Sequence, residues 1–217
     1  MKRSLVMTTL ALSAFLVAMP ASAQDKKEIQ GYAAAGYVEP EGDVGKFVGG
    51  GWNISGGAIL RPSPQKPFAI RFDLGYNRFW ATNSTINKIK GSSLGSAIVT
   101  DGYLSLTTLS AEGLYEFGGH GRVGGYIGVG VGGMYRYAAL TSNWVSGVYC
   151  DPWTGICYNS GSAIVDDDSL TKLEFSAAAG MTFNLGNGQM YLEARYHWMD
   201  GASPSTEMLP ILIGYRF

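Results

Sequence analysis

The chain has only two cysteines and two histidines among its 217 residues, and charged residues make up only 15% of it. So few soft ligands argue against a structural zinc site, which takes four such side chains. A net charge of −1 excludes the basic surface that is typical of nucleic-acid-binding proteins. Beyond the N-terminal region there is no uninterrupted apolar run of the roughly 20 residues that a membrane-spanning helix needs.

The N-terminal region has the organisation of a secretory signal peptide. Lys2 and Arg3 form a basic start, residues 10–19 are apolar, and Ala21-Ser22-Ala23 matches an A-x-A cleavage site. We therefore expect residues 1–23 to be removed during export through the general secretory pathway, leaving residues 24–217 as one domain. Because the removed segment has two basic residues and no acidic one, the mature net charge is −3.

Hydrophobic residues in the remainder recur with period two, between segments rich in turn-forming residues. Eight strands are predicted, at approximately 29–38, 47–60, 68–80, 103–117, 122–138, 170–184, 189–199 and 207–217. The mean hydropathy of +0.05 says little, because alternating faces average to zero even in a membrane barrel. In the fourth strand, Leu104 and Leu106 share parity with Glu112 and Glu116, which predicts a bulge.

The last predicted strand is the most informative. Five residues of one parity form a continuous apolar face that ends on an aromatic side chain: Leu209, Ile211, Ile213, Tyr215 and Phe217. A strand of this kind suits a closed barrel whose outer face is covered by lipid.

Short and long connections alternate along the chain. The segments 61–67, 118–121 and 185–188 are tight or proline-rich turns, and they alternate with the segments 39–46, 81–102, 139–169 and 200–206. Short turns on one rim and longer loops on the other are typical of outer-membrane barrels. The sequence therefore predicts an all-β fold, an eight-stranded antiparallel up-and-down transmembrane β-barrel, in the cell outer membrane of a Gram-negative bacterium.

Eight strands leave an interior only wide enough for side chains, so the inward positions should form a packed polar plug. Apart from histidine, the inward candidates comprise five cations and five anions, a balance that favours buried ion pairs. The predicted interior charge network consists of Arg71, Asp73, Glu112, Glu116, Arg136, Lys172, Glu174, Glu193, Arg195, His197 and Arg216. Four glycines of the fifth strand would make room for the long side chains: Gly124, Gly128, Gly130 and Gly132. A small-solute porin is the alternative that this packing disfavours.

His197 raises the alternative of a lipid-modifying hydrolase acting on lipid A or phospholipid. Such chemistry needs a hydroxyl within reach of the imidazole and a carboxylate that orients the ring. Glu193 shares the strand face, but Met199 stands where a serine would be needed, and nothing nominates a nucleophile. The simpler interpretation, an interior histidine hydrogen-bonded to a carboxylate, is favoured, and no catalytic residue is assigned.

The two cysteines, Cys150 and Cys157, flank a Pro- and Gly-containing turn within the longest loop. In an exported chain they predict a disulfide that closes a small ring. The ring either stiffens a binding tip or protects an exposed loop from proteolysis. The acidic run 166–168 could hold a divalent cation, but a solvated loop end is favoured because adjacent carboxylates on extended backbone point in alternate directions.

The segments Tyr191-Leu192-Glu193-Ala194-Arg195-Tyr196-His197, Glu207-Met208-Leu209-Pro210-Ile211 and Gly214-Tyr215-Arg216-Phe217 resemble the outer-membrane β-barrel domain family, the small OmpA-like or opacity-type eight-stranded barrels often called porin family proteins. Pro210 fits the family pattern and predicts a local bulge. The resemblance implies that Tyr215 and Phe217 are read by the barrel-insertion machinery as a C-terminal insertion signal. It carries no catalytic residue to this chain.

These observations favour a structural or surface-interaction protein without enzymatic activity, metal or other cofactor. The expected partners are outer-membrane lipids and lipopolysaccharide, with an extracellular ligand or host surface contacted through loops 81–102 and 139–169, and no nucleic acid. A soluble secreted β-sandwich or lipocalin-like binder is a further alternative.

Overall fold

The computed structural model describes residues 28–63, 66–91, 101–118, 122–143, 149–150, 157–158, 162–185, 187–201 and 205–217. The predicted signal peptide lies outside them. The ten strands are β1 Glu28–Glu41, β2 Val48–Arg61, β3 Phe68–Ala81, β4 Asp101–Phe117, β5 Val123–Asn143, β6 Tyr149–Cys150, β7 Cys157–Tyr158, β8 Ser162–Asn184, β9 Gln189–Met199 and β10 Thr206–Arg216. A 3₁₀ turn spans Val44–Lys46, and one helix, α1, spans Asn83–Gly91.

Eight strands form a closed antiparallel barrel in the order β1-β10-β9-β8-β5-β4-β3-β2, while β6 and β7 form a separate hairpin. Neighbouring barrel strands are antiparallel, and β1 closes the barrel against β10. The predicted eight-stranded up-and-down barrel is therefore confirmed. A β-sandwich is excluded by the closure, which leaves no open sheet edge in the barrel.

Two strands are longer than their hydrophobic alternation indicates. The predicted fifth and sixth barrel strands, 122–138 and 170–184, extend to Val123–Asn143 and Ser162–Asn184. The predicted loop 139–169 therefore contains the upper parts of β5 and β8 together with the β6–β7 hairpin, and the predicted loop 81–102 contains α1. In sequence these extensions mix apolar and polar residues without period two, so they lack the alternation by which strands are recognised.

The predicted facing of the barrel strands is confirmed. Along β8, the outer face carries exposed apolar residues at every second position: Leu173, Phe175, Ala177, Ala179, Met181 and Phe183. On β10, Ile211, Ile213, Tyr215 and Phe217 are exposed, whereas Leu212 and Arg216 are buried. On β1, which the sequence leaves unassigned, Tyr32 and Val38 face inward. An apolar outside around a partly charged inside is the reverse of a water-soluble barrel.

Two predicted bulges are wrong. The register of β4 against both neighbours is continuous, so Leu104, Leu106 and Glu112 all face inward without any change of parity. At Pro210 the ladder to β9 is interrupted, but its register is the same on both sides. Register shifts occur instead between Val48 and Gly51 on β2 and between Leu140 and Thr141 on β5.

The connections sort by length onto the two ends of the barrel. One end has the short turns between β2 and β3, β4 and β5, and β8 and β9; the other has the remaining connections, two of them long. We call the short-turn end periplasmic and the other extracellular, following the outer-membrane pattern. Among the described residues, no helix has the length and hydropathy to cross a bilayer.

Candidate functional site

The middle of the barrel interior holds two guanidinium groups and three carboxylates. Arg71 contacts Glu112 and Glu193. Arg195 contacts Asp73, with 2.9 Å between Nη1 and Oδ1, and Glu193, with 2.6 Å between Nη2 and Oε1. All five residues are 1% exposed. β3, β4 and β9 supply these side chains, so the contacts cross the barrel axis and link opposite walls.

Hydroxyl groups add neutral donors to the same carboxylates. Tyr126 donates its hydroxyl to Glu193 Oε2 at 2.6 Å, and Ser176 donates to Glu112 Oε1 at 3.0 Å. Tyr32 donates to Asp73 Oδ1. Because the cluster has one more carboxylate than guanidinium groups, these donors matter: each stabilises a buried anion without adding charge.

Glycines on neighbouring strands make room for the bulky interior side chains. A Cβ on Gly180 would overlap the Tyr126 ring, and one on Gly214 would overlap the Tyr191 ring. Gly130 leaves space for the Glu112 side chain in the same way, as expected from the glycine pattern of β5. The glycine content of the strands is therefore tied to interior packing as well as to turns.

A second ion-pair group lies at the periplasmic end. Arg216 donates to Glu116 Oε1 at 2.8 Å, and Arg61 donates to Glu116 Oε2 at 2.7 Å. The Arg216 guanidinium carbon lies 4.5 Å from the centroid of the Tyr126 ring, a cation–π distance. The Glu116 side chain keeps 20% exposure, so this group borders the periplasmic opening.

His197 pairs with Glu174 through Nδ1 and Oε1, and the two residues are 2% and 0% exposed. Ser176 stands directly opposite His197 on β8, but its hydroxyl donates to Glu112. The imidazole is thus buried in the barrel interior. The oriented histidine and carboxylate are present, whereas the hydroxyl opposite them is engaged elsewhere.

At and above this level an apolar cluster joins the polar side chains of the interior, which the expectation of a polar plug did not include. Nine buried residues form this apolar layer: Val38, Val44, Val48, Phe79, Leu104, Leu106, Met134, Met199 and Met208. Their parity is inward on every strand, and a sequence interpretation that assigns apolar residues to lipid misplaces Leu104 and Leu106. The layer places hydrocarbon in the extracellular half of the interior, beside the buried side chains of Arg136, Glu174 and His197.

A pocket of about 290 Å³ opens at the extracellular mouth. Its apolar side includes Val48, Leu104 and Leu140, and its polar side includes Arg136 and Asp168. Arg136 donates to Thr206 Oγ1 at 3.0 Å, and its Nη2 lies 3.8 Å from Asp168 Oδ2. The volume is at the lower end of the range for small-molecule sites.

The structure places ten of the eleven residues of the predicted charge network inside the barrel. Lys172 is the exception: it is exposed, because β9 ends at Met199, opposite Glu174, and the wall that would cover Lys172 has stopped. The predicted set leaves out Arg61, Tyr32, Tyr126 and Tyr191. Tyr126 shares parity with Gly128, and Tyr191 with Glu193, so parity alone could have found both.

The cysteine pair and the acidic run lie in the extracellular part of the chain. Cys150 and Cys157 are direct partners across the β6–β7 ladder. Asp167 and Asp168 are exposed on β8. Within the described part of the chain, no group of three or more His, Cys, Asp or Glu residues is placed to hold a metal ion.

The family model described as "Outer membrane protein beta-barrel domain" matches residues 8–217, and the chain belongs to that family. No curated protein matches the sequence. The protein is therefore an integral β-barrel of the cell outer membrane, as the resemblance of its last two strands implies.

Three solved structures are similar to this chain. Neisserial surface protein A is 13% identical with a TM-score of 0.54, covering 88% of this chain and 98% of that one. A major outer membrane protein from Thermus thermophilus is 12% identical with a TM-score of 0.47, covering 88% and 99%. Ail, the attachment invasion locus protein of Yersinia pestis, is 14% identical with a TM-score of 0.44, covering 88% and 99%. The similarity to Neisserial surface protein A supports the fold of this chain and nothing beyond the fold.

Proposed function

We propose that the protein is a non-conducting outer-membrane barrel that presents an extracellular ribbon to a ligand or host surface. The observation that supports this is the length of β5 and β8. Their pairing continues to Asn143 and Ser162, whereas β9 ends opposite Glu174. With 23 residues against 11 in β9, β8 rises about 30 Å further along the barrel axis once its tilt is included. The hairpin β6–β7 lies on the connection between these two strands.

Cell attachment tests this role. Cells that express the full chain are compared with cells whose segment 150–157 is replaced by a Gly-Ser linker, on a glycan-coated surface. The expected result is loss of attachment in the linker variant, while outer-membrane permeability and lipid composition stay unchanged. Equal attachment of both strains would remove the ribbon from the proposal. Replacing the periplasmic turn 185–188 by the same kind of linker is the matched control.

We also propose that the interior does not conduct. Support comes from two stacked layers, the ion-paired middle and the apolar layer above it, whose side chains are buried. An eight-stranded barrel has room for side chains only, and aqueous channels occur in barrels of about twice that strand number. A small-solute porin would need these layers to move aside.

Planar bilayer recording tests the closure. Purified full-length protein should give no steady, large conductance steps. The double variant Arg71→Ala, Arg195→Ala empties the middle layer, and current that appears only in this variant would assign the closure to those guanidinium groups. Steady conductance of the unaltered protein contradicts the proposal directly.

The proposal assigns no enzymatic activity. A lipid hydrolase that uses His197 has an oriented imidazole in its favour, but the buried position and the engaged Ser176 hydroxyl stand against it. His197→Ala should leave lipid A and phospholipid profiles of the cell unchanged. A changed profile in cells that fold and export the variant normally would replace the present proposal with the enzyme.

Three processing steps belong to the same proposal: removal of residues 1–23, recognition of Tyr215 and Phe217 by the insertion machinery, and a disulfide between Cys150 and Cys157. Direct cross-strand partners have Cα separations of about 4.5–5.5 Å, within the range that disulfides take. Mass spectrometry of the mature protein, before and after reduction, determines both the cleavage site and the presence of the disulfide. The remaining partners proposed are outer-membrane lipids and lipopolysaccharide.

A further inference from the structure

Arg78 is a cation on the outside of the barrel. Its chain neighbours Asn77 and Phe79 are fully buried in the interior, so the alternation of β3 turns Arg78 outward. Its direct partners across the sheet are Trp52 on β2 and Ser105 on β4. A charged residue on the lipid face of a barrel is strongly destabilising at the bilayer midplane and costs little near an interface. The depth of Arg78 therefore decides what it does.

The strand geometry places Arg78 at the extracellular interface. Phe68, at the periplasmic end of the same strand face, packs against Tyr115 with ring centroids 5.3 Å apart, as interfacial aromatic residues do. Ten residues separate the two positions, and at a strand tilt of about 40° they rise about 25 Å along the barrel axis. That rise matches the height of the apolar band, so Arg78 lies where the hydrocarbon ends.

Aromatic rings surround the guanidinium group at this level. Its central carbon lies 3.9 Å from the centroid of the Tyr103 ring, and Trp52 packs against Tyr76 beside it with centroids 5.5 Å apart. Trp80, one step higher on the same face, is 47% exposed. Stacking on Tyr103 holds the planar fork of N–H donors in place on a side chain that is half-buried. None of the ion pairs between described residues includes Arg78.

Carboxylates occupy the neighbouring side of the extracellular rim. Glu39 and Glu41 lie on β1 and Glu207 on β10, with Tyr37 donating to Glu39 and Tyr196 donating to Glu207. Only β2 separates β1 from β3, and Trp52 of β2 pairs with both Tyr37 and Arg78. These anions would repel a headgroup phosphate, so the attraction at this level has to come from Arg78 itself.

We infer that Arg78, stacked on Tyr103, binds a phosphate of the phosphorylated glycolipid in the outer leaflet, the lipid A part of lipopolysaccharide. A guanidinium group binds phosphate through two parallel N–H donors, and the half-buried Arg78 can supply both. The acyl chains would then lie along the apolar face below, over Tyr76 and Leu74. The inference rests on the lipid contacts of the proposed function and is independent of the ribbon and of conductance.

Native mass spectrometry of the folded full-length protein, in neutral detergent micelles doped with bis-phosphorylated lipid A, tests the site. Arg78→Gln should weaken lipid A retention about tenfold, the scale of a lost charge-assisted pair, and Arg78→Lys should weaken it about threefold. Arg122→Gln changes an exposed arginine at the periplasmic end and should have no effect. Mobility of the unboiled protein on gels shows that each variant is folded.

Two further ligands show whether Arg78 recognises the phosphate of lipid A or free phosphate. Lipid A without phosphates should bind weakly and equally to all variants, and excess inorganic phosphate should not displace lipid A. Equal retention by the unaltered protein and Arg78→Gln, equal loss in Arg122→Gln, or displacement by free phosphate would each overturn the inference. None of these results bears on attachment or conductance, so the proposed function can stand if the site fails.

Discussion

The periplasmic and extracellular halves of the barrel interior both contain buried side chains but differ in the chemistry of those side chains. In the middle, Arg71 and Arg195 are paired with carboxylates, and the rings of Tyr32 and Tyr126 lie against Arg71. Above them, Phe79 and Met208 belong to the apolar layer, and both are 0% exposed. A narrow barrel needs its volume filled, and either paired charge or hydrocarbon fills it.

The two halves differ in how they should respond to damage. Buried ion pairs are costly to break, because removing one partner leaves the other as an uncompensated buried charge. Loss of an apolar side chain leaves a cavity, whose cost follows its size. The charged half should therefore be the more sensitive to a single substitution.

The largest effect is expected from Arg195→Met, which keeps much of the volume and removes the charge. Asp73 and Glu193 would lose the guanidinium group that both contact. The free energy of unfolding should fall by about 4 kcal/mol. Denaturant titration in lipid vesicles, followed by tryptophan fluorescence and by the mobility of unboiled protein on gels, measures it.

Arg122→Met is the matched control, since Arg122 is exposed at the periplasmic turn. Its effect should stay within about 0.5 kcal/mol. If Arg195→Met cost less than about 1 kcal/mol, the ion pairs would not be what holds the charged half together.

A smaller loss is expected from Phe79→Ala in the apolar layer, about 3 kcal/mol, because the ring is fully buried and its removal leaves a cavity. Phe72 on the same strand is 47% exposed on the outer face and provides the control. Lipid can fill the space that Phe72→Ala leaves, so its cost in the same vesicle titration should be clearly lower. Equal costs for the two variants would mean that the apolar layer is loosely packed.

Gly214→Ala tests the glycine contacts of the charged half and should cost about 2 kcal/mol, because the new Cβ would overlap the buried Tyr191 ring. Gly133→Ala is the control, and we expect it to change the free energy of unfolding in the opposite direction. A Cβ there meets no described atom within 4 Å, and the substitution should stabilise by about 0.5 kcal/mol by restricting the unfolded chain. The interior packing account fails if both variants shift the unfolding midpoint in the same direction.

The sequence predicts the outside of this barrel better than its inside. Lipid-facing residues such as Phe175 and Met181 alternate with small or polar ones, so period two assigns strand, face and closure together. The same logic places Arg71, Glu112 and Glu193 inside, since a charge of inward parity has nowhere else to go.

The apolar layer could not be predicted in this way. Leu104 and Leu106 look like lipid-facing residues, and only the continuous register of β4 shows that they point inward. The contacts across the axis, such as Arg71 with Glu193 of β9, depend on the barrel's closure and not on neighbours in the chain. The upper parts of β5 and β8 are recognised only through their pairing with each other.

The smallest effect is expected from Tyr126→Phe, which separates the hydroxyl donors from the guanidinium groups in the charged half. Glu193 would keep both arginines and lose only the 2.6 Å bond from Tyr126, so the expected loss is about 1.5 kcal/mol. Tyr215→Phe removes a hydroxyl from an exposed outer position and should cost much less. The cluster has one more carboxylate than guanidinium groups, and a neutral donor compensates that excess only if it faces the anion in a dry interior. A titration in which Tyr126→Phe unfolds like the unaltered protein, while Arg195→Met is strongly destabilised, would show that the two arginines alone stabilise all three carboxylates.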